Sequence, residues 1–270
     1  MFRKLIKHEW RSTAGTQGIL AAAALGVSIL AGIVLRLLTT YSENLSPIAN
    51  AGIVISLVFM GLAFVGCTVA MGILLLVRFY KNKFTDEGYL TFTLPANSHQ
   101  IFLSAFVNMA LWSIISGFVI LLGTLLFVII GLYDPKFLPD AEQLQGLKWV
   151  FQQMDLDGEY IGAMILQILI ATPYTLVMAM TSITLGAVIA KKHKILAAFG
   201  IYYGISYLSG IVSSIVTVVL SLQDWEDSLT GNLTSYSTQS LVITVVWEVI
   251  MIAAGYILST QLMTKKLNLR

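Results

Sequence analysis

The sequence has very few charged residues for its length. Of its 270 residues, 11% are charged and 57% are hydrophobic, whereas soluble domains carry about 25% charged residues. A globular domain must cover its core with polar side chains, and this chain has too few of them to do so. Its high aliphatic content also excludes a disordered chain. The composition therefore indicates an integral membrane protein.

Cysteine and histidine are also scarce. The single cysteine, Cys67, excludes a disulfide framework, and the three histidines lie too far apart in sequence for a metal-binding motif. The sequence contains no GxSxG or HExxH motif and no GxxxxGK[ST] phosphate-binding loop. We therefore predict a chain that is not an enzyme and that holds no metal or cofactor of its own. The small net charge of +2 gives no indication of nucleic-acid binding.

Long apolar runs dominate the sequence. A helix needs about 20 apolar residues to cross the hydrocarbon core of a bilayer. The runs are continuous, which excludes the period-two alternation of a transmembrane barrel. We predict an all-α integral membrane protein in which residues 1–270 form one domain of six transmembrane helices. The predicted spans are residues 19–38, 53–77, 101–132, 161–190, 195–220 and 241–262.

Basic residues are concentrated in one set of connecting segments. The N-terminal segment, the loop after the second span, the link after the fourth and the C-terminal tail hold 13 of the 16 lysines and arginines. The opposite loops hold ten of the 14 acidic residues. The positive-inside rule therefore places both termini in the cytoplasm, and the loop over residues 133–159 outside the cell.

The N-terminal segment alternates apolar and basic side chains. Phe2, Leu5, Ile6 and Trp10 recur at helical spacing, with basic residues between them. This pattern predicts an amphipathic helix over residues 1–17 that lies in the inner headgroup layer ahead of the first span. A positively charged segment that only fixes the topology is the alternative.

A few polar residues lie within the apolar runs. Arg36 and Glu248 are ionisable, and such groups are functional candidates because they are costly to bury. A structural ion pair between them is the alternative. Gln167 and Thr172 belong to the fourth span, which is the most polar one and in which Pro173 is predicted to introduce a kink. Its polar face could line a substrate pathway, or its hydroxyls could bond their own helix backbone.

Small residues occur four apart in two of the spans. The first span contains Ser28 and Gly32, and the fifth contains Gly200 and Gly204. Such pairs allow two helices to approach closely, within one subunit or between two.

The predicted cytoplasmic loop at residues 78–100 has an unusual composition. A solvated loop avoids aromatic and aliphatic side chains, and an apolar patch rimmed by charge marks a protein interface. A loop that merely lies on the membrane surface is the alternative. Gly88 permits a sharp turn. The apolar residues of this loop include Phe79, Tyr80, Phe84, Tyr89, Leu90, Phe92 and Leu94.

The string FTDEGYLTFTLPANSHQIFLSAFVNMALW, from Phe84 to Trp112, resembles the permease subunits of ATP-binding-cassette type-two exporters of Gram-positive bacteria. The layout of six spans with a short basic N-terminal segment is similar as well. At Ser104-Ala105 the chain departs from the Ser-Lys that is frequent in those relatives. The directly matching residues are Asp86, Glu87, Gly88, Tyr89, Leu90, Thr91, Thr93, Leu94 and Pro95.

The resemblance implies a bacterial cell-membrane permease whose cytoplasmic loop docks on a separate ATPase subunit. That subunit would hold the ATP and magnesium, and the permease would work with a second copy or a sister permease among membrane lipids. The resemblance does not identify the cargo, but an amphipathic or hydrophobic peptide, lipid or drug would suit an apolar pathway with few charges. The implied docking residues are Phe84, Asp86, Glu87, Gly88, Tyr89, Leu90, Leu94 and Pro95, and the implied permease–permease contact involves Ser28, Gly32, Gly200 and Gly204.

Two other functions fit the same sequence. One is a proton-coupled secondary transporter that uses Glu248 as its proton site. The other is a membrane sensor or scaffold that transports nothing and binds a peptide through the loop at residues 133–159.

Overall fold

A computed structural model provides the structure of the protein, and it describes residues 2–41, 46–85, 97–132, 158–190, 192–223 and 233–265. Within these ranges the chain is almost entirely helical, because a backbone in lipid must satisfy its own polar groups. The helices are α1 (Phe2–Tyr41), α2 (Pro47–Phe84), α3 (Ser98–Leu132), α4 (Gly158–Ile189), α5 (Lys194–Gln223) and α6 (Leu233–Lys265).

Each of these six helices is long and apolar enough to cross a membrane. This confirms the predicted all-α fold with six spans for the described part of the chain. The helices contain 30 to 40 residues, which corresponds to about 45–60 Å at 1.5 Å per residue. Since the hydrocarbon core is about 30 Å thick, the helices tilt or continue beyond it. One example is α2, which continues seven residues past the predicted end of its span at residue 77, to Phe84.

The N-terminal segment is not a separate element. Residues that were predicted as an interfacial helix and as the first span form the single helix α1, and neither Gly15 nor Gly18 interrupts it. The buried face of this segment is polar, with Glu9, Thr13 and Gln17 spaced four apart. Hydropathy alone could not indicate this, because a seam of polar side chains satisfied by neighbouring helices has no apolar signature.

The chain divides into two compact units. The N-terminal unit comprises Met1–Arg78 and Val107–Gln143, and the C-terminal unit comprises Phe79–Phe106 and Leu144–Arg270. The N-terminal unit thus contains α1, most of α2 and the later part of α3. The C-terminal unit contains the end of α2, the start of α3, and α4, α5 and α6.

In the N-terminal unit, α1 packs closely on α3. The Ser28 hydroxyl donates a hydrogen bond to the carbonyl oxygen of Gly123. A Cβ added at Gly32 would lie 2.9 Å from the Cβ of Ile130, which is too close for two real side chains. Only glycine fits there, so the small residues of α1 allow the helix backbones to approach within the chain.

In the C-terminal unit, α4 makes its most extensive contacts with α6 and also packs on α5. The Ser259 hydroxyl of α6 donates to the Thr181 hydroxyl of α4 at 3.0 Å. At the crossing of α4 and α5, a Cβ added at Gly186 would lie 2.6 Å from the backbone nitrogen of Ala198. The helix α4 continues through Pro173. These contacts hold the three helices together around buried polar side chains.

Candidate functional site

The predicted docking segment is described only at its borders. Among the predicted docking residues, Phe84 lies at the end of α2. The structure therefore shows the two helix ends that flank the segment, namely α2 up to Phe84 and α3 from Ser98. The predicted docking residues that lie outside the described residues are Asp86, Glu87, Gly88, Tyr89, Leu90, Leu94 and Pro95.

The two flanking helix ends meet in one packed group of aromatic rings. The ring centroid of Phe79 lies 5.7 Å from that of Phe84 and 6.4 Å from that of Phe102, and both pairs are edge-to-face. Each of these three side chains is at most 3% exposed. The described ends of α2 and α3 that flank the segment are therefore fixed in one buried cluster. We call Phe79, Phe84, Phe102 and Tyr256 the aromatic cluster.

Tyr256 connects this cluster to α6. Its ring lies edge-to-face on Phe102 at 5.5 Å, and its hydroxyl oxygen lies 3.0 Å from Nδ1 of His99, within hydrogen-bonding distance. The start of α3 is thus fixed to α6 by a ring contact and a polar contact. Sequence reasoning did not identify Tyr256, because a tyrosine within an apolar span carries no motif. A Cβ added at the preceding residue, Gly255, would lie 2.9 Å from the Thr181 hydroxyl and 3.1 Å from Val177 Cγ1 of α4.

A second polar group joins α4 to α6 within the membrane-spanning region. Gln167 Nε2 donates a hydrogen bond to Glu248 Oε1 at 3.0 Å, and Glu248 is only 7% exposed. The hydrogen-bond partner of Glu248 is thus an amide rather than a cation. Glu248 Oε2 and Gln167 Oε1 are both buried without a hydrogen-bond partner in the described part of the chain. Arg36 lies on the exposed surface of α1.

Ser209 connects α5 to both α4 and α6. Its Oγ accepts a hydrogen bond from Trp247 Nε1 at 2.6 Å and lies 3.1 Å from the hydroxyl of Tyr174. Thr172, predicted as part of a polar pathway, is exposed on α4. The other buried hydroxyls of α4 donate to carbonyl oxygens one turn earlier in their own helix. These donors are Thr181, Ser182 and Thr184.

The four small residues predicted at a permease–permease contact have different surroundings. Ser28 and Gly32 are covered by α3 of the same chain. Gly200 and Gly204 are exposed, and no described atom lies within 4 Å of a Cβ built at either position. Of these four residues, only the two on α5 are therefore free to contact a second copy.

The described residues contain no group of three His, Cys, Asp or Glu side chains that could hold a metal ion. The features described above act through packing and hydrogen bonding: an aromatic cluster beside the predicted docking segment, and a buried acid–amide pair between α4 and α6. Comparison of this chain with known protein families, with curated proteins and with solved structures finds no match.

Proposed function

We propose that this protein is the membrane-spanning permease subunit of an ATP-driven exporter of the ATP-binding-cassette type. It resides in a bacterial cell membrane with both termini in the cytoplasm, and it exports an amphipathic or hydrophobic peptide, lipid or drug. ATP is hydrolysed by a separate subunit, on which the segment between α2 and α3 docks. The observation that carries the proposal is the attachment of both ends of this segment to the buried aromatic cluster.

A docking segment is useful only if its displacement reaches the membrane-spanning helices. Protein interiors are packed as densely as organic crystals and therefore transmit strain. In the C-terminal unit, the cluster offers a continuous route from Phe84 and Phe102 through Tyr256 into α6. From α6 the route continues into α4, because a Cβ at Gly255 would lie 2.9 Å from the Thr181 hydroxyl. Closure of the ATPase on ATP would thus shift the permease between two arrangements.

The decisive experiment measures whether the ATPase co-purifies with this chain and whether ATP hydrolysis is coupled to transport. The double variant Glu87→Ala/Tyr89→Ala removes an acid and an aromatic ring from the docking segment. We expect it to prevent co-purification of the ATPase or to separate ATP hydrolysis from transport in vesicles, with a loss of at least tenfold in coupled transport.

The matched control is Glu159→Ala/Tyr160→Ala, which removes the same two side-chain types from the first turn of α4. This control should retain both assembly and transport. Unchanged assembly and coupling in the docking-segment variant would contradict the proposal.

A second function is favoured by the unpartnered oxygens of Glu248 and Gln167. A buried acid with a free oxygen is a possible proton site in a secondary transporter. Such a transporter would move its cargo in vesicles with an imposed proton gradient, without ATP or an ATPase, and Glu248→Gln would abolish this movement. ATP-dependent transport that persists in Glu248→Gln would instead support the exporter.

A further inference from the structure

A groove of about 660 Å³ lies between the start of α1 and the middle of α3 in the N-terminal unit. This volume falls within the range of about 300–1,000 Å³ that is typical of small-molecule sites. One part of its lining is basic and the other is apolar, as in a site for an amphiphile. The basic residues are Arg3, Lys4 and Lys7, and the apolar ones are Ile6, Trp10 and Leu111; together they are called the basic groove below.

The apolar wall of the basic groove is held in place by neighbouring side chains. The indole of Trp10 stacks on that of Trp112, with ring centroids 4.8 Å apart and planes 16° from parallel. Trp112 Nε1 donates to the Thr13 hydroxyl at 3.0 Å. Both Trp112 and Thr13 are buried. The wall is therefore formed before any ligand arrives, which lowers the entropy lost on binding.

The positive charges of the groove have no acidic counterpart in its lining. Arg3, Lys4 and Lys7 are exposed, and no acidic residue is among the described residues that line the groove. The nearest acid along α1, Glu9, is buried on the face that also carries Thr13. Three cations within two helical turns create a positive potential that attracts an anion.

The position of the groove along the apolar runs of α1 and α3 indicates what kind of anion it binds. Trp10 lies nine residues before the apolar run of α1 that begins at Ile19, or roughly 13 Å along the helix. Leu111, in contrast, lies ten residues inside the apolar run that begins at Ile101 of α3. At the groove, the wall formed by α1 thus carries cations, whereas the wall formed by α3 is apolar. This combination is typical of the boundary between headgroups and acyl chains, where tryptophan and long basic side chains are enriched.

We propose that the basic groove binds an anionic phospholipid from the leaflet at the N-terminal end of α1. The lipid phosphate contacts Arg3, Lys4 and Lys7, and an acyl chain lies against Ile6, Trp10 and Leu111. A free phosphate would leave the apolar wall uncovered. A zwitterionic lipid would bring no net charge to the three cations. This inference does not depend on the proposed transport function.

Brominated lipids provide a direct test, because bromine quenches tryptophan fluorescence only at short range. The full chain is placed in vesicles that contain either brominated phosphatidylglycerol or brominated phosphatidylcholine, and Trp10→Phe identifies the signal from the groove. Each basic residue near an anionic lipid surface strengthens attraction by about fivefold. We expect phosphatidylglycerol to be preferred at Trp10 by at least fivefold. Equal quenching by the two lipids would overturn the proposal.

Two charge variants test whether the preference for phosphatidylglycerol arises at the basic groove. In Arg3→Gln/Lys4→Gln/Lys7→Gln the preference should fall to about onefold. The control Arg11→Gln/Lys192→Gln/Lys194→Gln removes three basic residues elsewhere and should keep the preference. An equal loss in both variants would reflect net charge alone and would contradict the site.

A competition experiment on the unmodified protein separates a lipid from a free phosphate. Glycerol phosphate, which carries the charge without acyl chains, should not displace phosphatidylglycerol at millimolar concentration. Displacement would show that the groove recognises phosphate alone and would refute a lipid site. Because this measurement and the comparison of the two lipids need no charge variant, the proposal is testable even if the triple variant fails to fold.

Discussion

The two units of the chain use buried polar side chains in different ways. In the N-terminal unit, two polar side chains of α1 bond to backbone carbonyls of other helices: Gln17 Nε2 donates to Met71 at 2.9 Å, and Ser28 donates to Gly123. The same unit also contains a side-chain pair, in which Trp112 Nε1 of α3 donates to the Thr13 hydroxyl of α1. In the C-terminal unit, the contacts between helices join one side chain to another. These pairs are Gln167 with Glu248, Ser209 with Trp247 and with Tyr174, Ser259 with Thr181, and His99 with Tyr256.

This difference has a mechanical consequence. In lipid the hydrophobic effect does not hold helices together, so small and polar residues provide much of the packing energy. A bond to a backbone carbonyl can be lost only if the helix or the donor moves away. A bond between two side chains can be exchanged when either side chain changes its rotamer, with little movement of the backbone. The hydrogen bonds named above for the C-terminal unit are all of this second kind, so we expect this unit to adopt a second arrangement more easily. It also contains the borders of the predicted docking segment.

The largest effect is expected in the aromatic cluster. Phe102→Ala removes a fully buried ring that contacts both Phe79 and Tyr256, and we expect a loss of about 3 kcal/mol in the free energy of unfolding. Thermal unfolding in detergent, followed by tryptophan fluorescence, measures this loss.

Phe118→Ala is the matched control, because Phe118 belongs to the same helix and is 60% exposed. Its melting temperature should stay close to that of the unmodified protein. If the two variants were equally stable, the cluster would not be a packed connection, and the mechanical difference between the units would lose its main support.

The fold was largely predictable because a membrane imposes a simple rule on sequence. Continuous apolar runs located the six helices of the described residues, and each predicted span overlaps one of them. The ends were less predictable. Hydropathy indicates which residues can lie in lipid, whereas a helix such as α1 or α2 can continue beyond its apolar run because its backbone hydrogen bonds are made within the helix. Thus the helix that contains the first predicted span, residues 19–38, begins at Phe2 and includes the segment predicted as a separate amphipathic helix.

The partners of individual side chains could not be predicted. Glu248 was recognisable as an intramembrane acid, but its partner Gln167 lies 81 residues away in sequence, and many polar residues were equally plausible. Gly32 was recognisable as a small residue at helical spacing, yet whether it faces α3 or a second copy depends on tertiary packing. Tyr256 carries no motif, and Trp10 was recognisable only as part of the amphipathic N-terminal pattern; the rings that these two side chains contact were not predictable.

A smaller effect is expected where two helices of the C-terminal unit cross most closely. Gly186→Val places its Cβ against the backbone of Ala198, which cannot move aside as a flexible side chain could. We expect a loss of about 2 kcal/mol in stability, measured as a lower melting temperature. Gly200→Val is the control on α5, where no described atom is near the added side chain, and it should leave the melting temperature of the isolated chain unchanged. A similar loss in both variants would mean that helix propensity, rather than the close crossing, determines stability.

The smallest effects compare one glutamine from each unit. Gln167→Leu leaves the buried Glu248 without its hydrogen bond, so we expect a loss of about 1–2 kcal/mol. Gln17→Leu removes a donor to the Met71 carbonyl, which retains its place in the helical backbone of α2. Because no side chain is left unpaired, the expected loss is about 0.5 kcal/mol.

Glu248→Gln sharpens this comparison, because the new amide still offers an oxygen to Gln167 Nε2. It should therefore be more stable than Gln167→Leu. Thermal unfolding of the three variants in one detergent measures the order. If Gln17→Leu were the most damaging, bonds to backbone carbonyls would matter more than pairs of side chains, and the N-terminal unit would be the one whose helices depend on polar contacts.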